Sequence, residues 1–387
     1  MNVGVQLISD YTWHMKTVFI AVQNLRIGGF QRVALDEAYA FSSKGFRVVI
    51  VVLEKIEEDG AKSFYTSEID LIQKFDIKLS VVSGSRRQQL ISFRSLIRNS
   101  DFNQYYISHN LRASVLIRLA SIISARKVQI YSVIHQIPSL SDRTQRFKRF
   151  LYARTSNKLF IFSAAALEDW NKRIKSNRFL RMLYRSKNIE LLRNGVFFER
   201  VYIAPALKTA SQKRDLRLIF IGRPTFWKGI GTVLALARTE LLLNSKVVLY
   251  LPYANDSLFQ NLPESLTSRL EIIIGKTFKD YVPKLGDVHL YPADYGSSEF
   301  IESISINCLE MAAVGVPSCV TKGGLATWPE FSNNAIIREI EWANLIEASQ
   351  IILNCSQTQF SDFELEKIRN FISVNNHIDT LLYSLKA

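Results

Sequence analysis

Short apolar, β-branched runs alternate with helix-patterned segments along almost the whole chain, and they come in two series parted by a polar, proline-containing stretch. TVFIAVQ (17–23), VVIVVL (48–53), LSVV (79–82), YYIS (105–108), QIYSVI (129–134), KLFIFS (158–163) and IELLR (189–193) read as buried parallel strands, each followed by helix or loop. After APALKTASQKRD (204–215), LRLIFIG (216–222), KVVLYL (246–251), LEIIIG (270–275), DVHLYP (287–292) and SCVT (318–321) form the second series. The pattern predicts two doubly wound α/β domains. A chain of 387 residues, 48% of them hydrophobic, can fill both cores. Ligands of open parallel sheets bind beyond the C-terminal strand ends, so two such domains facing one another make a cleft.

The strongest chemistry-bearing pattern lies late in the chain, in ESISINCLEMAAVGVP (302–317). Apolar residues at Ile304, Ile306, Leu309, Ala312 and Ala313 have helical spacing, and Gly315 and Pro317 supply a stop. Glu302 is thereby placed just outside a helix N-terminus, and Glu310 falls about two turns inside the helix. Backbone N–H groups of Ser303, Ile304 and Ser305 would point past that end, a setting that favours an anion such as a phosphate. After the first strand, Gly28 and Gly29 open another helix where the backbone can come close to a ligand. They do not form G-x-G-x-x-G, which argues against a dinucleotide site. IGRPTFWKG (221–229) sets Arg223 and Lys228 beyond the first strand of the second series, and two cations there suit a diphosphate. His109 and His135 each follow an apolar strand. One such histidine is commonly structural; two at successive strand ends point into the same cleft, and His135 is the preferred candidate.

Charge is unevenly spread. Of a net +14, residues 86–187 alone carry 21 Lys and Arg against four acids. Such a block attracts polyanions, and its bases are interleaved with bulky apolar residues in SRRQQLISFRSLIRN (85–99), RTQRFKRFLYAR (143–154) and NKRIKSNRFLRMLYR (171–185). That mixture fits an anionic membrane interface better than nucleic acid, with Arg86, Arg87, Arg94, Arg98, Arg146, Lys148 and Arg149 as the expected contact face. No apolar run approaches the ~18 residues needed to cross a bilayer, and MNVGVQLISDYTWHMK at the start lacks the basic region of a signal peptide. Three scattered cysteines, Cys308, Cys319 and Cys355, point to a reducing, cytoplasmic setting. No D-x-D and no His/Cys/Asp cluster at metal spacing occurs, so neither metal nor other cofactor is expected, and the charge of a leaving group falls to Arg, Lys and a helix end.

Taken together, these motifs resemble the GT-B fold glycosyltransferases, and specifically family 4 of retaining, nucleotide-sugar-dependent enzymes. The resemblance spans nearly the whole chain: GGFQRVALDEAYAFSSKGFRVVIVVL, IFSAAALEDW, LLRNGVFFERV with its Asn194-Gly-Val, IGRPTFWKGIGTVLALA, and ESISINCLEMAAVGVPSCVTKGG, whose two glutamates are similar to the family's E-x(7)-E. It implies two Rossmann-like domains facing across a cleft: residues 1–204 on the acceptor and membrane side, 205–365 binding the nucleotide sugar, and a C-terminal helix (366–387) returning to the first. By position, the resemblance implies Arg223 and Lys228 on the donor diphosphate, Gly28 and Gly29 beside the phosphates, Glu302 near the anomeric centre, Glu310 on the ribose and His135 near the sugar hydroxyls, with His109 and Asn194 as lesser candidates. The chain departs from the family in following Glu302 with Ser-Ile-Ser, where Gly-Phe-Gly or Gly-Phe-Pro is common. The expected reaction is sugar transfer to a saccharide, carried on a polyprenyl diphosphate, for a cell-surface polysaccharide at the inner face of the membrane. Two rivals stand beside it: a GT-B nucleotide-sugar epimerase, and a non-catalytic protein that binds polyanions or membranes.

Overall fold

The computed structural model describes the chain apart from residues 1–15, 27, 56–63, 100–103, 136–142, 185–187, 201–214, 276–277, 294–304, 333 and 387. Strands β1 (Thr17–Val22), β2 (Arg47–Val52), β3 (Lys78–Val81), β4 (Gln104–Ser108), β5 (Gln129–Ile134), β6 (Lys158–Ile161) and β7 (Asn188–Leu191) form one parallel sheet in the order β3-β2-β1-β4-β5-β6-β7. Strands β8 (Arg217–Ile221), β9 (Lys246–Leu251), β10 (Leu270–Ile274), β11 (Asp287–Tyr291), β12 (Ser318–Thr321) and β13 (Ile337–Ile340) form the second, in the order β10-β9-β8-β11-β12-β13. Two parallel sheets of this kind define the GT-B arrangement expected from the sequence. Every residue of β1 and of β11 is buried, as a strand covered on both faces must be. The one strand not anticipated is β13: its middle residues Arg338 and Glu339 are exposed on the sheet edge, leaving only two isoleucines to mark it.

On one face of the first sheet lie α1 (Gly29–Ser43) and α2 (Phe64–Lys74). On the other lie α3 (Arg86–Asn99), α4 (Leu111–Ile123), α5 (Arg143–Thr155), α6 (Ala164–Ser176) and α7 (Arg178–Tyr184). Asn110 caps α4 by accepting from Arg112 N and Ala113 N at 2.6 and 3.3 Å. The second sheet is covered by α8 (Ile230–Leu236), α9 (Glu264–Thr267), α10 (Ile306–Ala313), α11 (Leu345–Gln357) and α12 (Asp362–Ile372), before α13 (Val374–Lys386) ends the chain.

The C-terminal segment changes domain at Ser373. Leu365, Ile368 and Ile372 of α12 belong to the second core, whereas Val374, Ile378 and Leu381 of α13 pack into the first, beneath α1. The extended backbone of Ser373 (φ −59°, ψ 137°) parts the two helices and pairs with the outgoing crossing: Val196 N donates to Ile372 O at 2.8 Å and Val374 N to Val196 O at 3.0 Å. Gly195 makes this pairing possible, because a Cβ there would sit 2.3 Å from the Cα of Val374. Further contacts join the domains, including Ala164 N to Thr327 Oγ1 at 3.0 Å and the Arg193–Glu330 ion pair at 2.7 Å. Among the described residues, no helix is long and apolar enough to cross a membrane.

Candidate active site

Each sheet reverses strand order beside its first strand, between β1 and β4 and between β8 and β11, and the loops leaving these strands open the crevice where ligands of such sheets bind. In the first domain the turn after β1 is stitched by Gln23 and Asn24, which donate to Glu54 at 2.7 and 2.9 Å, and by Gln31, which donates to Asn24 Oδ1 at 2.8 Å. Gly28 then caps α1 without any side-chain hydrogen bond. Its backbone is extended (φ −175°), and a Cβ there would meet the flexible end of Gln31 at 2.6 Å and the Arg26 carbonyl oxygen at 3.9 Å, while one on Gly29 would meet nothing, so neither torsion nor packing within the protein demands these glycines. The two glycines leave the start of a fifteen-residue helix open toward the crevice.

His109 follows β4 and His135 follows β5, and the structure brings them into direct contact, His109 Nδ1 to His135 Nε2 at 2.7 Å. Behind them stands Glu37 of α1, fully buried, with its two oxygens 2.8 Å from His109 Nε2 and 2.7 Å from Nε2 of His377 on α13. His377 Nδ1 donates to the carbonyl of Arg193, in the outgoing crossing, at 2.7 Å. Burial would raise the Glu37 pKa, but the positive charge held on the flanking imidazoles and the hydrogen bonds from His109 and His377 outweigh it and hold the carboxyl at about 2. Burial pushes His135 well below the usual 6.5, so this ring is neutral. Phe30 stacks on His135 and Phe162 packs beside it, each with centroids 4.6 Å away. The His109 side chain is buried, and His135, half-buried, ends the line on the side away from Glu37.

In the second domain Gly222 and Arg223 follow β8, and a short turn brings Lys228 back over the sheet. Lys228 Nζ donates to the hydroxyl of Tyr291, the last residue of β11, and lies 4.2 Å from the Trp227 ring centroid. Arg223 is exposed, with its guanidinium 5.3 Å from the same ring. Gly229 is indispensable to this turn: its φ is +77°, and a Cβ would lie 2.1 Å from the carbonyl oxygen of Pro292. Asn307, in the first turn of α10, donates to Ile221 O at 2.9 Å and ties that helix end to the end of β8. The helix begins at Ile306, two residues later than its apolar spacing predicts, because Ser305 takes the N-cap position. Any open N–H groups at this end therefore belong to Ile306 and Asn307, since Cys308 N already donates to Ser305 O at 3.0 Å. Ser303 and Ile304, expected to supply them, lie with Glu302 outside the described residues.

Glu310 is fully buried in α10 and pairs with Arg32 of α1 at 2.6 Å, so the expected ribose carboxylate is engaged across the domain boundary. Asn194 sits in the outgoing crossing; its Oδ1 is buried and has no hydrogen-bond partner among the described residues. Among those residues no group of His, Cys, Asp and Glu is arranged to hold a metal ion. On the layer formed by α3, α4 and α5, Arg86, Arg87, Arg94, Arg98 and Lys148 are exposed, whereas the side chain of Arg146 lies outside the described residues. Arg149 corrects the expected basic face. It is buried, with its guanidinium 4.8 Å from the Trp170 ring and 3.8 Å from Asp169, and it clamps α5 to α6.

Glu37, His377, Arg32 and Tyr291 were not singled out by sequence. The signal for two of them is a charge or an imidazole on an otherwise apolar helix face: Glu37 falls between Val33, Ala34 and Phe41, and His377 between Val374, Ile378 and Leu381.

The fold is thus GT-B. No family model matches the sequence, and no curated protein matches it. Solved structures do resemble it over nearly its whole length. The Anabaena protein HepE in complex with UDP is 14% identical, with a TM-score of 0.67 over 96% of this chain and all of that one. A glycosyltransferase from Rickettsia africae, also 14% identical, gives 0.66 over 97% and 98% of the two chains. A variant of Staphylococcus aureus TarM, in complex with fondaparinux, α-GlcNAc-glycerol and UDP, is 12% identical and gives 0.68 over 96% and 100%. At these identities the likeness establishes the fold, and the chemistry must be argued from the site.

Proposed function

We propose that the chain is a retaining glycosyltransferase that moves a sugar from a nucleoside-diphosphate sugar to a saccharide acceptor without a metal ion. The observation that carries this reading is the convergence of Lys228, the Arg223 turn and the first turn of α10 at the end of β8, in a fold whose similar structures include complexes with UDP and with UDP-glucose. As the sugar departs, positive charge develops at the anomeric carbon and negative charge on the leaving phosphate. Lys228, Arg223 and the α10 N–H groups stabilise that phosphate where its charge grows, and because they are fixed before the reaction they need little reorganisation. Glu302 serves near the anomeric centre, His135 holds a sugar hydroxyl, and Glu310 meets the ribose either by sharing its carboxylate with Arg32 or by displacing it. Closure of the two domains excludes water and limits hydrolysis.

The acceptor is placed on the first domain, as a saccharide carried on a polyprenyl diphosphate at the cytoplasmic face of a membrane and destined for a cell-surface polysaccharide. Supporting this are the exposed bases of α3 and α5, lying in one layer with exposed Ile91, Leu119, Ile122, Ile123 and Phe147.

The test is nucleotide release from a panel of UDP-, GDP-, dTDP-, ADP- and CMP-sugars, with and without lipid-linked saccharide, for the native protein and for Glu302→Ala and Lys228→Ala. Release from one donor class, faster with acceptor and lost in both variants, is expected. Conversion of the donor without any acceptor would favour the epimerase, and release or polyanion binding indifferent to both variants would overturn the reading.

A further inference from the structure

A line of hydrogen bonds runs from the domain crossing to the crevice, through the Arg193 carbonyl, His377, Glu37, His109 and His135, with successive separations of 2.7, 2.7, 2.8 and 2.7 Å. Its acceptors fix its protons. The carbonyl can only accept, so His377 carries a proton on Nδ1. Glu37 is ionised at neutral pH and also only accepts, so His377 carries a second proton on Nε2 and His109 donates from its own Nε2. At His109 Nδ1 two arrangements remain. A proton there would make a second buried cation against a single carboxylate. A bare Nδ1 instead accepts from His135 Nε2–H, and the four side chains then carry no net charge. With Glu37, His109 and His377 all buried, the balanced arrangement costs far less.

We propose that His377, Glu37 and His109 are positioning residues that hold His135 as a neutral ring protonated on Nε2, leaving Nδ1 to accept a hydrogen bond from a hydroxyl of the donor sugar. The hydroxyl rests on the glycosyltransferase reading; the tautomer does not. Phe30 from α1 and Phe162 after β6 fix the plane of the ring, and the line of hydrogen bonds fixes its edge. A neutral acceptor at this place selects a hydroxyl, whereas an imidazolium would be drawn to the diphosphate. Because His377 stands four residues beyond the Ser373 crossing and bonds the crossing strand, the state of this ring is tied to the hydrogen bonds that join the two domains.

Nitrogen-15 NMR of the full chain labelled in its five histidines reads both ring nitrogens of each, with assignments from single His→Gln variants. The native protein is expected to show His377 protonated on both nitrogens and His135 on Nε2 alone. In Glu37→Gln, whose amide can accept from only one ring, His377 is expected to become neutral and His135 to populate both tautomers. A native His135 protonated on Nδ1, or a His135 tautomer untouched by Glu37→Gln, overturns the proposal, and the first of these needs no variant to fold. Calorimetry with UDP-glucose and UDP, or the equivalent pair for the donor base that nucleotide release selects, tests the role. Glu37→Gln is expected to weaken the nucleotide sugar by about fivefold to tenfold, the range of one lost hydrogen bond, and to leave the free nucleotide within about twofold. Equal weakening of both, or of neither, contradicts the proposed role. Failure of the native protein to bind either ligand would instead remove the glycosyltransferase reading, with the tautomer still decided by NMR.

Discussion

Glutamine in place of Glu37 keeps the size of the side chain and removes its charge, so the stability difference between the two proteins reads the buried carboxylate together with the His377 proton it holds. Its folded pKa of about 2, against 4.5 for the free group, corresponds to about 3 kcal/mol of stability at neutral pH. The sign follows from the direction of the shift. A carboxyl with a depressed folded pKa contributes in full above its unfolded value and loses that contribution as pH falls from about 4.5 to about 2. For a cooperative unit of about 200 residues, each kcal/mol moves the melting temperature by about 2–4 °C. Glu37→Gln, which keeps one of the hydrogen bonds, should therefore melt about 5–10 °C below the native protein at pH 7, and the gap should close as pH approaches 2. Circular dichroism melts at half-unit steps between pH 7 and pH 2.5 measure it. A gap as wide at pH 2.5 as at pH 7 would refute the reasoning, because it would mean that packing, not the ionised carboxylate, is what the substitution removes.

Gly195→Ala forces a methyl to within 2.3 Å of the Val374 backbone and should cost about 3 kcal/mol or more in urea unfolding, since neither crossing can yield without losing its pairing. Gly229→Ala meets the Pro292 carbonyl at 2.1 Å in a left-handed conformation, which displaces Lys228; calorimetry should show nucleoside diphosphate binding weakened at least about tenfold, whereas Gly231→Ala, whose methyl meets nothing within 4 Å, leaves it unchanged. Arg149→Ala should lower the melting temperature without altering co-sedimentation with anionic vesicles, whereas Arg94→Glu combined with Lys148→Glu should weaken that co-sedimentation without lowering stability, the weakening being largest at low salt.

What the sequence discloses follows from how many neighbours constrain each residue. Interior strands such as β1 and β2 are apolar from their second residue on because helices cover both faces, and they are legible at once; β13 is an edge strand whose exposed Arg338 and Glu339 erase the signal. The Gly-Arg and Lys-Gly turn is visible as a motif, but the reason for Gly229 is a carbonyl sixty-three residues away that only the fold brings near. Arg149 looks like its basic neighbours when a window is judged by composition. Its spacing from Tyr152 and Ala153 puts it on the inner face of α5, while Phe147 of the same helix is exposed. The histidine line is the least legible feature, since its members come from α1, the ends of β4 and β5, and the last helix. Each is ordinary alone, and only tertiary contact joins them.

The central claim is that the crevice at the ends of β1 and β8 binds a nucleoside diphosphate through the Lys228 turn. Thermal denaturation of the native protein and of Lys228→Ala against UDP, GDP, dTDP, ADP and CMP tests it most directly, because a ligand at about 100 times its Kd adds about 2.7 kcal/mol to the folded state. A raised melting temperature is expected with one nucleoside diphosphate, and none in the variant. No shift with any nucleotide, or a shift that Lys228→Ala leaves intact, would contradict it.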